Sequence, residues 1–166
     1  MAYIYPAPGT ASKQVTLSIT DSSGGLSSSL TMAALQDVTV NASNDVFTWT
    51  QLDSASKQNI ATTATNSLAM NLVLDKETFF GTDDGAYASS TTVAGAGIFG
   101  MSNLKTRVGF SLYMGDESDG TEGITITGSG YITGLAPTVS ADSPVWVSPI
   151  TITVDGDYTV DDTAIA

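Results

Sequence analysis

The feature that most constrains this chain is a period-two alternation of apolar and small polar residues that returns along most of its length. That pattern belongs to strands with one face buried and the other wet. Val15, Leu17 and Ile19 alternate with Gln14, Thr16 and Ser18. Leu68, Met70, Leu72 and Leu74 alternate with Ser67, Ala69, Asn71 and Val73, and Val108, Phe110, Leu112 and Met114 with Arg107, Gly109, Ser111 and Tyr113. The chain is therefore expected to be mainly β, with antiparallel strands packed on one side.

Turn chemistry sets the expected boundaries. Asp21 to Gly25 and the acidic stretch Asp116 to Gly123 read as turns, the second making a β-hairpin of the strands that start near Thr106 and Ile124. Asn41-Ala42-Ser43-Asn44-Asp45 reads as a hairpin turn between Val38–Val40 and Val46–Leu52. Val145 to Val154 forms a last long strand, with Pro149 marking an edge or a bulge, and a short piece follows at Tyr158 to Val160. Between Glu77 and Lys105 the alternation fails. One short helix is expected there, either capped by Ser89 or Ser90 and running toward Ala96, or lying between Phe99 and Lys105.

Composition then removes whole classes of function. With 166 residues the chain is long enough to bury one core. It has no His and no Cys, so imidazole or thiolate metal sites and Ser-His-Asp or Cys-His catalysis are closed to it. Five Lys and Arg face seventeen Asp and Glu, a net charge of −12 that repels nucleic acid. Only 13% of residues are charged, and Ser and Thr, 44 in all, take the place of the missing charge. The acids sit in turns and leave the strands' polar faces nearly neutral. No basic-then-apolar leader opens the sequence, and no apolar stretch approaches a membrane span, so a chain that is not exported is expected.

Each motif has a plain structural account. Gly95-Ala96-Gly97-Ile98-Phe99-Gly100 matches a dinucleotide fingerprint by letter, with Asp116 downstream. It follows no clear strand and opens no crossover helix, so it reads as a Gly-rich loop and no cofactor is expected. Asp116, Glu117, Asp119 and Glu122, and Asp155, Asp157, Asp161 and Asp162, lack EF-hand order and read as solvated turns, with no metal expected. Asp83-Asp84 beside Lys76-Glu77 reads the same way. Trp49 and Trp146 lie in alternating strands, where core packing is the default and an interface the alternative. Residues 1–12, with Tyr3 and Tyr5, form an arm, residues 13–160 one domain, and residues 161–166 a tail.

A family resemblance enters on the last third. Gly128, Gly130, Tyr131 and Ile132 lie in one strand, Leu135, Ala136-Pro137 and Asp142 form a linker, and Pro144-Val145 and Ser148 open a strand that closes near Gly156. This order resembles the C-terminal half of the major tail tube proteins of long-tailed, siphovirus-type bacteriophages. Upstream, residues 66–75, the Phe79-Phe80-Gly81 loop and residues 102–115 look like the family's preceding strand, loop with helix, and strand. The resemblance spans roughly residues 60–160.

It implies a β-sandwich with one short flanking helix, no enzymatic activity, and subunits that form hexameric rings stacked into a tube through which DNA passes. It also implies a place in the virion tail after assembly in the host bacterial cytoplasm, beside tape measure, terminator and tail-tip proteins. In the family a long loop or hairpin and terminal arms reach adjacent rings, which nominates the N-terminal arm, the passage 82–100 and the tail from 161. Tyr3, Tyr5, Phe79, Phe80, Phe99 and Trp146 are the expected assembly residues. Asp75, Asp116, Glu117, Asp119 and Glu122 are the expected lumen acids. No immunoglobulin-like C-terminal domain is expected. Another virion β-sandwich, at the tail tip or on the head, or an adhesin-like binding module is the alternative.

Overall fold

The computed structural model describes residues 15–20, 26–32, 35–52, 56–81, 93–114 and 124–161. Among them nine strands form a single sheet: β1 (Val15–Thr20), β2 (Leu26–Thr31), β3 (Leu35–Thr50), β4 (Lys57–Val73), β5 (Val108–Met114), β6 (Ile124–Leu135), β7 (Thr138–Ser140), β8 (Ser143–Val154) and β9 (Thr159–Asp161). Two helices, α1 (Lys76–Phe80) and α2 (Val93–Asn103), lie between β4 and β5 in sequence. The sheet runs β2-β1-β5-β6-β8-β4-β3, with β7 paired to β8 and β9 to β6, and every pairing is antiparallel. The sheet curls, so its apolar face closes on itself and on α2.

Register explains the core. Ile152 stands between Leu68 on β4 and Ile132 on β6, and Ile150 between Met70 and Leu135, so the alternating residues of three strands meet in rows. With Val108, Phe110, Leu112, Met32, Phe79 and the α2 residues Ala96, Ile98 and Met101 they form one buried cluster. Each such side chain contributes about 1.5–3 kcal/mol relative to exposure. The β5–β6 hairpin forms as its alternation predicts, pairing Val108 through Met114 with Gly130 through Ile124.

Several boundaries differ from the sequence expectation. Asn41 to Asp45 is no turn: β3 runs unbroken through it, and a register shift between Asn44 and Val46 absorbs the irregularity. Local turn propensity yields there to continuous pairing with β4. The helical passage holds two helices where one was expected, and residues 93–100 of the Gly-rich loop belong to α2, which kinks at Gly97 (φ 56°, ψ −178°). β2 escapes prediction because its Ser-rich sequence carries little alternation. Pro149 lies on β8, inside the sheet between β6 and β4, and not on an edge strand. It is tolerated where the neighbouring partner changes, since β6 ends at Leu135 and β7 begins at Thr138. The turn segments Asp21 to Gly25 and Asp116 to Gly123 lie outside the described residues.

The glycines of the distinctive last third answer a packing need. A Cβ on Gly128 would sit 2.7 Å from the Phe110 ring tip, and one on Gly130 would run into the Thr153 carbonyl of β8. Gly130→Ala is therefore expected to cost about 1–3 kcal/mol through overpacking and to lower Tm by several degrees in a thermal melt. An unchanged Tm would show that β8 does not approach β6 this closely.

Candidate assembly surfaces

No helix among the described residues is long and apolar enough to cross a membrane, and no group of three or more Asp or Glu side chains among them is placed to hold a metal. The surfaces available for function are a projecting ribbon, an aromatic groove and a neutral sheet face.

The ribbon comes from unequal pairing of β4. From Ser67 to Val73 this strand is held on both sides, by β3 and β8. From Lys57 to Asn66 it pairs, among the described residues, with β3 alone, and residues 57–65 of β4 and 41–50 of β3 are exposed on both faces. The described ribbon reaches Leu52 on the β3 side and Ser56 on the β4 side. Near its end Phe47 and Trp49 stack with ring centroids 6.0 Å apart, and Ile60 stands across from Phe47. On the opposite face Thr48 donates to Asn59 Oδ1 at 2.7 Å.

The root of the ribbon is fastened where β4 leaves β8. Tyr158, just ahead of β9, reaches across and donates its hydroxyl to the carbonyls of Asn41 and Ser67, both at 2.8 Å. Its ring meets Phe110 edge-on at 6.2 Å, and Asn66 Nδ2 donates to Gly156 O at 3.0 Å. Arg107 and Asp155 pair at 3.3 Å on the surface nearby, where screening leaves such a pair little weight.

The groove lies at the other end of β4. Asp75 caps α1, accepting from the Thr78 N–H at 3.2 Å, and the helix turns Phe80 outward beside Phe99 of α2. Leu74, Lys76, Phe79, Pro137 and Trp146 complete a concave, nearly wholly apolar space of about 360 Å³. Its rings interlock: Phe79 meets Phe80 edge-on at 4.9 Å, and Phe99 lies 5.7 Å from Phe80. Gly97 allows this approach, because a Cβ there would lie 2.5 Å from Gly81 N and 2.7 Å from Phe79 O.

The third surface is the sheet face opposite the core. One cross-strand row reads Asn41, Ser67, Thr153, Tyr131, and the next Thr39, Ala69, Thr151. Thr133 and Thr153 share a 2.8 Å hydroxyl bond, and the acid of the neighbouring row, Asp37, accepts from Asn71 Nδ2 at 2.8 Å. These rows carry little charge, as composition suggested, but the acids are not confined to turns: Asp37 and Asp45 lie on β3 and Asp161 on β9.

The structure brings Phe80, Phe99 and Trp146 together, all exposed, and so gathers three of the six expected assembly residues in one groove. Phe79 is a correction: it is 2% exposed and backs the groove from within the core. Core packing, the default for the two tryptophans, fails for both, since Trp146 is 53% and Trp49 37% exposed. Asp75 is exposed and serves as a helix cap. Tyr3, Tyr5, Asp116, Glu117, Asp119 and Glu122 lie outside the described residues. Sequence reasoning missed Phe47 and Tyr158. Phe47 was hidden by the misplaced turn, and the two acceptors of Tyr158 lie 117 and 91 residues away.

These features define an antiparallel sheet curled over a helix, with one long ribbon projecting from it. That is the tail-tube fold. The chain is similar to the SPP1 tail tube, with a TM-score of 0.61 at 13% identity over 94% of this chain and 79% of that one. It is also similar to a chain from the virion of a native gene transfer agent particle (TM-score 0.52, 12% identity, 90% of this chain and 96% of that one). A third likeness is to a chain of the sheath-tube complex of an extracellular contractile injection system in its extended state (TM-score 0.51, 17% identity, 97% and 93%). No protein-family model and no curated protein matches the sequence. The resemblance drawn from residues 60–160 is met at the level of fold.

Burial pushes the Tyr158 phenol above its usual 10.0, so the folded chain holds a proton that the unfolded chain gives up near that pH. Its stabilisation is complete below pH 10.0 and is lost as pH rises through the raised folded value. Tyr158→Phe is expected to cost about 0.5–1.5 kcal/mol at neutral pH and to flatten the alkaline fall in stability, read by denaturant melts across pH. Equal alkaline slopes in the two proteins would remove Tyr158 from this account.

Proposed function

We propose that this chain is a structural subunit of a virion tail, assembling into stacked hexameric rings that form a tube for DNA ejection into a host. The observation that carries the proposal is the tail-tube fold itself, shared over nearly the whole chain. Two properties of this sequence support it. Among the described residues the sheet ends in β2 and β3, strands with one partner each, and the β2 edge carries no charged residue, which lets another copy approach it without like-charge cost there. The charge of −12 per copy makes any shared channel repel phosphate, so that DNA slides and does not bind.

In this reading the chain is a scaffold and not an enzyme. Its partners are its own copies and the tail's tape measure, terminator and tip proteins. Asp116, Glu117, Asp119 and Glu122 are the proposed lumen acids, with Asp75. Tyr3 and Tyr5 belong to a proposed arm reaching a neighbouring ring.

The purified chain, concentrated over a range of salt and viewed by electron microscopy, is expected to form tubes with sixfold averages, and those tubes are expected to retain no DNA when washed at physiological salt. Monomers or amorphous aggregates under every condition would overturn the proposal.

A further inference from the structure

Strands β8 and β9 are one strand interrupted. β8 leaves β6 at Val154, opposite Gly130, and β9 rejoins it at Thr159, opposite Thr127. Four residues, 155–158, thus lie across from two, 128 and 129. The surplus is expelled as a bulge, which turns at Gly156 with φ 97° and carries Tyr158 toward the neighbouring strands. A bulge re-aims a side chain, and this one aims a phenol at the fork where the ribbon leaves the sheet.

The contacts at the fork make the bulge a fastening. The Tyr158 hydroxyl has one proton and meets two carbonyls, those of Asn41 and Ser67, at 2.8 Å each. Asn41 and Ser67 stand opposite each other on β3 and β4, and Ser67 is where β4 begins its pairing with β8. The shared bond therefore closes only while both strands of the ribbon's root keep their present distance from the bulge. Asn66 Nδ2 donates to Gly156 O at 3.0 Å, a second tie between the same parts. The bulge itself is held to the sheet by Asp155 N, which donates to Ser129 O at 2.7 Å, and by the edge-on contact of the Tyr158 ring with Phe110.

Both elements joined at this point are lightly held. β9 has three residues, all exposed, and among the described residues it pairs with β6 alone. Residues 57–65 and 41–50 of the ribbon are exposed, so its angle to the sheet rests on its root. From Asn66 to Lys57 the ribbon is on the order of 30 Å long at about 3.3 Å per residue. A small change of angle at the root is therefore a large displacement at the end. Coupling through one side chain is also reciprocal: whatever holds β9 in place holds the ribbon, and the converse.

We infer that Tyr158 is a latch that couples β9 to the ribbon: while β9 is paired with β6 the ribbon is held at a fixed angle to the sheet, and withdrawal of β9 frees it. The latched and released states differ by a few hydrogen bonds and little buried area, which puts release in the range of local opening and not of global unfolding. An event at β9 thus reaches the far end of the ribbon without disturbing the core. This is a property of the single subunit and goes beyond what the subunit builds.

The chain has no Cys, so spin labels can be placed on introduced cysteines alone. In dilute full-length chain, Leu52→Cys with Leu104→Cys reports the ribbon's angle, and Tyr131→Cys with Leu104→Cys reports the sheet body; all three positions are exposed. Distances are read by pulsed electron spin resonance. Tyr158→Phe keeps the ring and removes the hydroxyl. Val160→Pro with Asp161→Pro keeps Tyr158 and removes the β6-facing N–H of β9, whichever of the two successive residues carries it. The distance between positions 52 and 104 is expected to be narrowly distributed in the parent chain and roughly twofold broader in either variant, with the two combined no broader than either alone. The distance between positions 104 and 131 is expected to stay narrow throughout. An unchanged ribbon distance in Tyr158→Phe would overturn the latch. Broadening by Tyr158→Phe but not by the proline variant, or further broadening when the two are combined, would overturn the coupling to β9. Equal broadening of both distances would make Tyr158 a support of the whole sheet and overturn the inference as well.

Discussion

Strand β4 is asked to do two things at once. Over Ser67–Val73 it is a central strand, flanked by β3 and β8 and contributing Leu68, Met70 and Leu72 to the core. Over Lys57–Asn66 the same strand has, among the described residues, β3 alone and buries almost nothing. The first half supplies the free energy that holds the second half in an extended form it would not keep by itself. The bond pair from Tyr158 to the Asn41 and Ser67 carbonyls marks the place where one regime becomes the other. The ribbon, its direction and its distance from the groove all follow from that division.

The groove depends on the same strand through its other end. Val73 pairs with Val147, and Leu74 donates to the Trp146 carbonyl at 2.8 Å, so Trp146 is fixed against the start of α1. The Asp75 cap and the kink at Gly97 then bring Phe80 and Phe99 to its side. The molecule thus carries a convex apolar element and a concave one, separated by a rigid strut.

Much of this was legible in the sequence because strand alternation reports burial. Leu68, Met70 and Leu72, and Val108, Phe110 and Leu112, announce the core directly, and the β5–β6 hairpin follows from them. The ribbon was not legible for the same reason: residues 57–65 are exposed on both faces, so no apolar period marks them, and Asn41 to Asp45 carried a turn signal that pairing overrode. All four aromatic residues of the groove, Phe79, Phe80, Phe99 and Trp146, were named from sequence. Their convergence required the contact of α1 with α2, which no local pattern contains. The net charge of −12 argued against nucleic-acid binding from the start, but the acids of 115–123 and the arm with Tyr3 and Tyr5 lie outside the described residues.

The claim that β4 joins a well-buried half to a half that it holds extended is tested most directly by backbone hydrogen exchange on the dilute and the assembled chain. In the dilute chain the amides of residues 57–66 should exchange far faster than those of residues 67–73, and in assembled material the two sets should be protected alike. Equal, strong protection of both halves in dilute monomer would contradict the account, because the ribbon would then be held as firmly as the buried half.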